Sequence, residues 1–272
     1  MKKVIFLFAV TLLFFACTDN SSRANNEKQY PLQLNENCDT FVKDTSLMDA
    51  IQNVNLTDLK KSLENCASLD ISLYDSIIDQ EYVIGSLIWE PDADSMIYYL
   101  IDNGMDSAAK NMYNEFATEA MWAGDTTLVR YAINKGYPIT GATVYRAIEK
   151  GTKGGFGSKI ARDWYYELLP MISDIDSVRE CVSGCMSILH MFCSQMNPTL
   201  VFIPEEDQLF YFQDLIDRGY SINQKTGGGE VELDACRFGR TTQTDLQKKF
   251  TDILIKAGAD TTLVRWRYLY SE

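Results

Sequence analysis

The chain has 272 residues, 46% hydrophobic and 12% aromatic, with 38 Asp and Glu against 25 Lys and Arg and a single His. That composition suits a folded protein and excludes collagen-like, low-complexity and wholly disordered classes. A formal charge of −13 argues against a nucleic-acid ligand, which demands a basic footprint, and a lone His190 leaves no second imidazole to share a metal.

Lys2 and Lys3 precede an apolar run from Val4 to Ala16, 13 residues long. About twenty apolar residues are needed to cross a bilayer, so the run reads as an export signal. It stops at Phe14-Phe15-Ala16-Cys17, followed by polar Thr18-Asp19-Asn20. This boundary resembles the lipobox of bacterial lipoproteins, with Phe14 in place of the commoner Leu. The resemblance implies cleavage of residues 1–16, a lipid-modified Cys17, and a membrane-anchored protein facing the periplasm or the cell surface. Ordinary secretion with an incidental Cys17 is the alternative. Losing Lys2 and Lys3 leaves 23 basic against 38 acidic residues, a charge of −15. Residues 17–44, rich in Asn, Ser, Asp, Glu and Lys, read as the lipidated cysteine and a flexible tether.

From residue 45 to residue 272 the chain repeats itself. Leu100-Ile101-Asp102-Asn103-Gly104 returns as Ala132-Ile133-Asn134-Lys135-Gly136, Leu215-Ile216-Asp217-Arg218-Gly219 and Leu254-Ile255-Lys256-Ala257-Gly258. Each Gly closes an apolar helical stretch, where a positive φ is needed. Degenerate copies at Leu63-x-x-Cys66-x-x-Leu69 and Leu169-x-x-Ile172-x-x-Ile175 give repeat ends near 69, 107, 139, 175, 222 and 261.

These units resemble ankyrin repeats, whose period is about 33 residues. Thr45-Ser46-Leu47-Met48-Asp49-Ala50 stands where the family opens its first helix with T-P-L-H-x-A, as does Ser187-Ile188-Leu189-His190; Lys256-Ala257-Gly258-Ala259-Asp260 is similar to its A-G-A-D turn. The resemblance covers Thr45 to Leu263 and implies an all-α, ankyrin-type solenoid of about six helix-turn-helix repeats. Tetratricopeptide-type arrays, the alternative fold, have similar periods but lack the Gly-terminated second helix. Two spacings exceed the norm, marking insertions at Met196–Asp207 in unit five and Arg240–Asp245 in unit six. Leu263 to Tyr270 reads as the capping segment of the array.

Little in the sequence points to catalysis. Ser187 and His190 sit at a helix start, and the ankyrin resemblance makes them a tie between helix end and neighbouring turn, contributing about 1 kcal/mol. Gly154-Gly155-Phe156-Gly157-Ser158-Lys159 has no Walker register and reads as the link between two helices, and Gly227-Gly228-Gly229 as an inter-repeat turn. Asp92-x-Asp94 and Asp174-x-Asp176 lack the rest of a calcium loop. No catalytic residue, metal site or cofactor is expected. Cys193 and Cys236 fall at equivalent first-helix positions in stacked units; helices about 8–10 Å apart put them beyond disulfide reach of about 7 Å, so buried packing is expected. Cys38 with Cys66 is the one bridge entertained.

What the resemblance implies is a protein-binding surface, made of the long concave face and of projecting turns, with an unidentified protein partner. Tyr74 and Asp75, Tyr113 and Asn114, and Gln224 and Lys225 fall on the turns, and Trp122 before a helix-ending Gly. Tyr113 and Trp122 serve equally well as covers over neighbouring helix ends, and both readings stand. The acidity also suits an immunity protein against a basic, envelope-acting toxin. Replacing Cys17→Ser is expected to abolish metabolic labelling of the chain by a fatty-acid probe; labelling that persists without Cys17 contradicts lipidation there.

Overall fold

A computed structural model describes residues 44–69, 79–152, 155–180, 186–195 and 200–265. The export signal, Cys17, the tether up to residue 43, Tyr74, Asp75 and residues 266–272 lie outside these.

Short polar side chains open six of the thirteen described α-helices by accepting bonds from otherwise unpaired first-turn N–H groups. Asp44 accepts from Ser46 N at 2.9 Å to start α1 (Thr45–Gln52), and Asn55 from Asp58 N at 3.1 Å to start α2 (Leu56–Glu64). Asp79 caps α3 (Gln80–Ile88), which is followed by α4 (Asp94–Leu100) and, past a kink at Asn103 and Gly104, by α5 (Asp106–Lys110). Next come α6 (Phe116–Ala123), α7 (Thr126–Lys135) capped by Asp125, α8 (Gly141–Glu149) and α9 (Ser158–Leu168). A two-residue antiparallel pair, β1 (Arg179–Glu180) with β2 (Met186–Ser187), sets Arg179 opposite Ser187. It leads to α10 (Ile188–Ser194), α11 (Glu205–Asp217), α12 (Glu232–Ala235) and α13 (Asp245–Lys256). The described chain is mainly helical, an all-α fold.

The end of the second helix repeats in atomic detail. The N–H of Gly136 bonds to Ile133 O at 3.1 Å and that of Tyr137 to Ala132 O at 3.0 Å. The same two bonds recur at Gly219 and Tyr220, at Gly258 and Ala259, and at Cys66 and Ala67. Gly136, Gly219 and Gly258 have φ of 69°, 96° and 98°, and Cys66 holds 66°. No neighbour crowds those three glycines, so it is the left-handed backbone that calls for Gly there. The fourth unit departs: Ile172 is extended at φ −87° after a turn at Leu169–Met171. A β-branched side chain does not enter the left-handed region cheaply.

Corresponding helices contact each other: α3 packs on α6, α6 on α8, α10 on α12, and α11 on α13, while α1 packs with α2, α6 with α7 and α8 with α9. A single apolar cluster runs from Leu47 to Val264. Lying between α3, α7 and α8, α6 buries every residue from Phe116 to Met121, Thr118 and Glu119 included. Thr118 Oγ1 meets Thr143 Oγ1 of α8 at 2.9 Å. At the start of α8, a Cβ on Gly141 would fall 2.1 Å from the Ser177 backbone, so the segment before β1 can approach only a glycine. The described parts of the two insertions, residues 200–207 and 240–245, lie between α10 and α11 and between α12 and α13 and run into the first residues of α11 and α13, with residues 196–199 outside the description. The glycine-rich 154–159 stretch joins α8 to α9, with residues 153–154 outside the description, and Gly229 N donates to Thr226 O at 2.8 Å in a turn between α11 and α12.

One expectation is overturned. Cys193 and Cys236 are buried, but they form a disulfide with Cα atoms 4.3 Å apart. Helix axes about 8–10 Å apart, less two backbone radii of about 2.3 Å, leave about 3.4–5.4 Å between Cα atoms on facing sides, a span that reaches bridging range. The axis separation was the wrong distance to compare. Cys66 is also disulfide-bonded; Cys193 and Cys236 pair with each other, so its partner is none of the described residues, and Cys38 lies outside them. Replacing both Cys193 and Cys236 by Ala is expected to lower unfolding stability by about 2–4 kcal/mol in denaturant titrations under oxidising conditions. An unchanged midpoint contradicts a bridge that holds α10 to α12.

Candidate interaction surface

The buried polar groups between α10 and α12 come first, because they contain the chain's only histidine. Ser187 caps α10 through His190 N at 3.1 Å, and its Oγ lies 2.7 Å from His190 Nδ1. Glu232, fully buried at the start of α12, approaches the same Nδ1 at 3.3 Å and accepts from Ser187 Oγ at 3.2 Å. His190 Nε2 meets the Glu230 carbonyl at 3.1 Å. In a hydrolytic triad the acid orients one ring nitrogen and the serine occupies the other. Here Ser187 and Glu232 face one nitrogen, a backbone carbonyl takes the other, and all three side chains are buried. The arrangement ties unit five to the turn of unit six, as the sequence analysis expects of Ser187 and His190; the part of Glu232, 45 residues away, was not foreseen.

The Asp174-x-Asp176 pair is structural as well. Asp174 caps a short turn, and Asp176 accepts from Ser221 N at 2.8 Å and Ser221 Oγ at 2.6 Å. Asp94 lies beside Asp125; burial first, then the Asp125 charge, pushes its carboxyl above the usual carboxylate range. Among the described residues no group of three His, Cys, Asp or Glu side chains is placed to hold a metal. A polar cleft of about 340 Å³ between α1 and α2 is lined by groups that include Asn55 and Asp58, already engaged in capping α2.

The distinctive surface lies on α3 and α6. Exposed large apolar side chains there are Tyr82 (64%), Trp89 (49%), Tyr113 (79%) and Trp122 (43%). Tyr82 on α3 and Trp89, the residue that ends it, are seven residues apart, two helical turns on one face. Tyr113 occupies the turn before α6 and Trp122 its last turn. The two tryptophans meet edge to face with ring centroids 5.4 Å apart, which brings the C-terminal ends of α3 and α6 together. The guanidinium of Arg146, on α8, lies 4.1 Å from the centre of the Trp122 ring.

Buried carboxylates hold this row from beneath. Trp89 Nε1 donates to Glu119 Oε2 at 3.1 Å. Arg146 donates to Glu149 Oε2 at 2.5 Å, and Tyr145 OH to Glu149 Oε1 at 2.9 Å. Glu119 and Glu149 are buried; each gains a charge-assisted bond that offsets the loss of water.

Of the residues singled out in the sequence, Tyr113 and Asn114 are exposed on the turn before α6, and Trp122 is exposed at the other end of that helix. Gln224, half-buried, and Lys225, exposed, stand apart between α11 and α12. Tyr74 and Asp75 lie outside the described residues. Sequence reasoning passed over Tyr82, Trp89 and Arg146. A signal was present: Trp89 and Trp122 are separated by 33 residues, one ankyrin-like period.

No family model matches the chain, and no curated protein or solved structure does. Among the described residues, no helix is long and apolar enough to cross a membrane.

Replacing His190→Ala is expected to cost more than capping alone, about 2–3 kcal/mol, because Glu232 and the Glu230 carbonyl both lose a buried partner. Denaturant unfolding checks the size, and partner binding is expected to survive wherever the variant stays folded. Lost binding with unchanged stability contradicts a structural role.

Proposed function

We propose that the chain is an envelope-tethered protein-interaction module, anchored by lipid on Cys17 and built as an ankyrin-type solenoid. It binds a protein partner through the face lined by its first helices and through the adjoining turns. The observation that carries the reading is the group of exposed aromatics on two successive helix pairs, Tyr82, Trp89, Tyr113 and Trp122. Tyr and Trp dominate the energetics of protein interfaces because they bury much area at low entropic cost. Support for the solenoid comes from the repeated helix-end bonds at Cys66, Gly136, Gly219 and Gly258 and from contacts between corresponding helices of successive pairs. The resemblance to ankyrin repeats then makes the α3–α6–α8 side the concave, ligand-facing one.

A narrower reading, an immunity or inhibitor protein against an envelope-acting toxin, draws on the charge of −13, which steers a basic partner by long-range attraction. Capture with the full-length chain from a detergent extract of the envelope separates the two. One dominant small basic protein favours immunity, and several envelope proteins favour a general scaffold. Against whichever partner is captured, Tyr113→Ala and Trp122→Ala are each expected to weaken binding by about 2 kcal/mol or more. Lys60→Ala, on the exposed side of α2, is expected to change it by about 0.5 kcal/mol at most. A large effect of Lys60 with none from either aromatic overturns the assignment of the face.

A further inference from the structure

Three tryptophans lie within the described residues, and two carry a guanidinium over the ring. Arg146 lies 4.1 Å from the centre of Trp122, and Arg130 4.3 Å from the centre of Trp164. Trp89 carries none. It is nonetheless the tryptophan best prepared for a cation. The Glu119 carboxylate accepts its indole N–H at 3.1 Å, and an anion on that N–H raises the electron density of the ring. Cation–π attraction scales with the negative potential over the ring face. Trp122 and Trp89 meet with their ring planes at 83°, so the arrangement runs as a row from Arg146 through Trp122 to Trp89 and, among the described residues, stops there, with Trp89 about half exposed.

We propose that the exposed part of the Trp89 ring receives a cationic side chain, arginine in the first instance, from a basic segment of the protein partner. This deepens the interaction-module reading and rests on it. Charge complementarity sets the sign. The chain carries −13, Glu90 and Asp92 are exposed just beyond Trp89, and the cation nearest in the row, Arg146, is already paired with Glu149. A guanidinium over Trp89 is the one member of the row that the described residues do not supply. Tyr82, two turns back on the same face of α3, lies about 10 Å away along the helix, a distance that an extended basic segment covers in about three residues.

The test uses the full-length chain in nonionic detergent at about 0.15 M salt, where interactions between distant charges are largely screened. The probe is a blocked, fluorescently labelled nonapeptide alternating arginine and glycine, and the readout is its anisotropy. The counterpart with citrulline for arginine keeps the shape and removes the charge. The expected result is saturable binding of the arginine peptide, at least about ten-fold tighter than the citrulline peptide. Trp89→Ala, which leaves the net charge untouched, is expected to weaken that binding about five-fold or more, and Trp89→Phe, which retains a ring and packing, by less. Tyr166→Ala, an exposed aromatic on α9, should leave it within about two-fold. Near-ultraviolet circular dichroism checks that each variant is folded; if Trp89→Ala is not, the order parent, Trp89→Phe, then Glu119→Gln carries the comparison. Binding that is unchanged in the Trp89 variants, or equal for the citrulline peptide, overturns the inference. A captured partner whose affinity falls with Trp122→Ala but not with Trp89→Ala also overturns it, while leaving the interaction module in place.

Discussion

Short apolar helices in this fold are covered only when the helices packed against them are present, since none could bury its own side chains alone. Nowhere is this clearer than in α6, where six successive residues from Phe116 to Met121 are buried although the helix spans only Phe116–Ala123. An isolated helix of that length is unstable in water, because nucleation costs more than its few hydrogen bonds return. Its persistence here comes from packing against α3, α7 and α8. The polar groups follow from the same constraint. Once Thr118, Glu119, Thr143 and Glu149 are drawn into the stack they need partners: Thr118 meets Thr143 and Glu119 meets Trp89 across helices, while Glu149 takes Arg146 and Tyr145 of its own helix.

The surface row of aromatics is therefore a product of the stacking rather than an addition to it. Trp89 and Trp122 stand out because the helices beneath them are already full, and the carboxylates that fix them are buried where water competes little. Held in this way, large flat side chains lose little further freedom when a partner covers them, which is the condition for an efficient anchor. At the far end of the chain the stack is held by different means. The Cys193–Cys236 bridge, the Ser187–His190–Glu232 group and the bond from Gln247 Nε2 to Cys193 O at 2.8 Å cluster where α12 is a single turn and offers little apolar area of its own.

How much of this was legible in the sequence depended on how local the physics is. The helix ends were readable at Gly136, Gly219 and Gly258 because one residue must adopt a positive φ, and at Cys66 because the surrounding apolar spacing was kept. Ile172 shared that spacing but not the conformation, which costs a β-branched side chain more than it costs Gly. The Ser187–His190 cap was readable from a spacing of three residues; Glu232, which completes it, lies far along the chain and only folding brings it near. The disulfide was misjudged because axis separation stood in for Cα separation. Trp122 and Tyr113 were found beside recognisable turns, whereas Trp89 sits in an otherwise apolar helix end, and only its separation of 33 residues from Trp122 marks it.

Hydrogen–deuterium exchange of the full-length chain, with and without its captured partner, tests the central claim most directly. The account predicts slowed exchange on binding in α3, in the turn at residues 112–115 and in α6, where the exposed aromatics lie, with α9 and α11 unchanged. Slowed exchange confined to α9 and α11, with α3 and α6 unaffected, would contradict it.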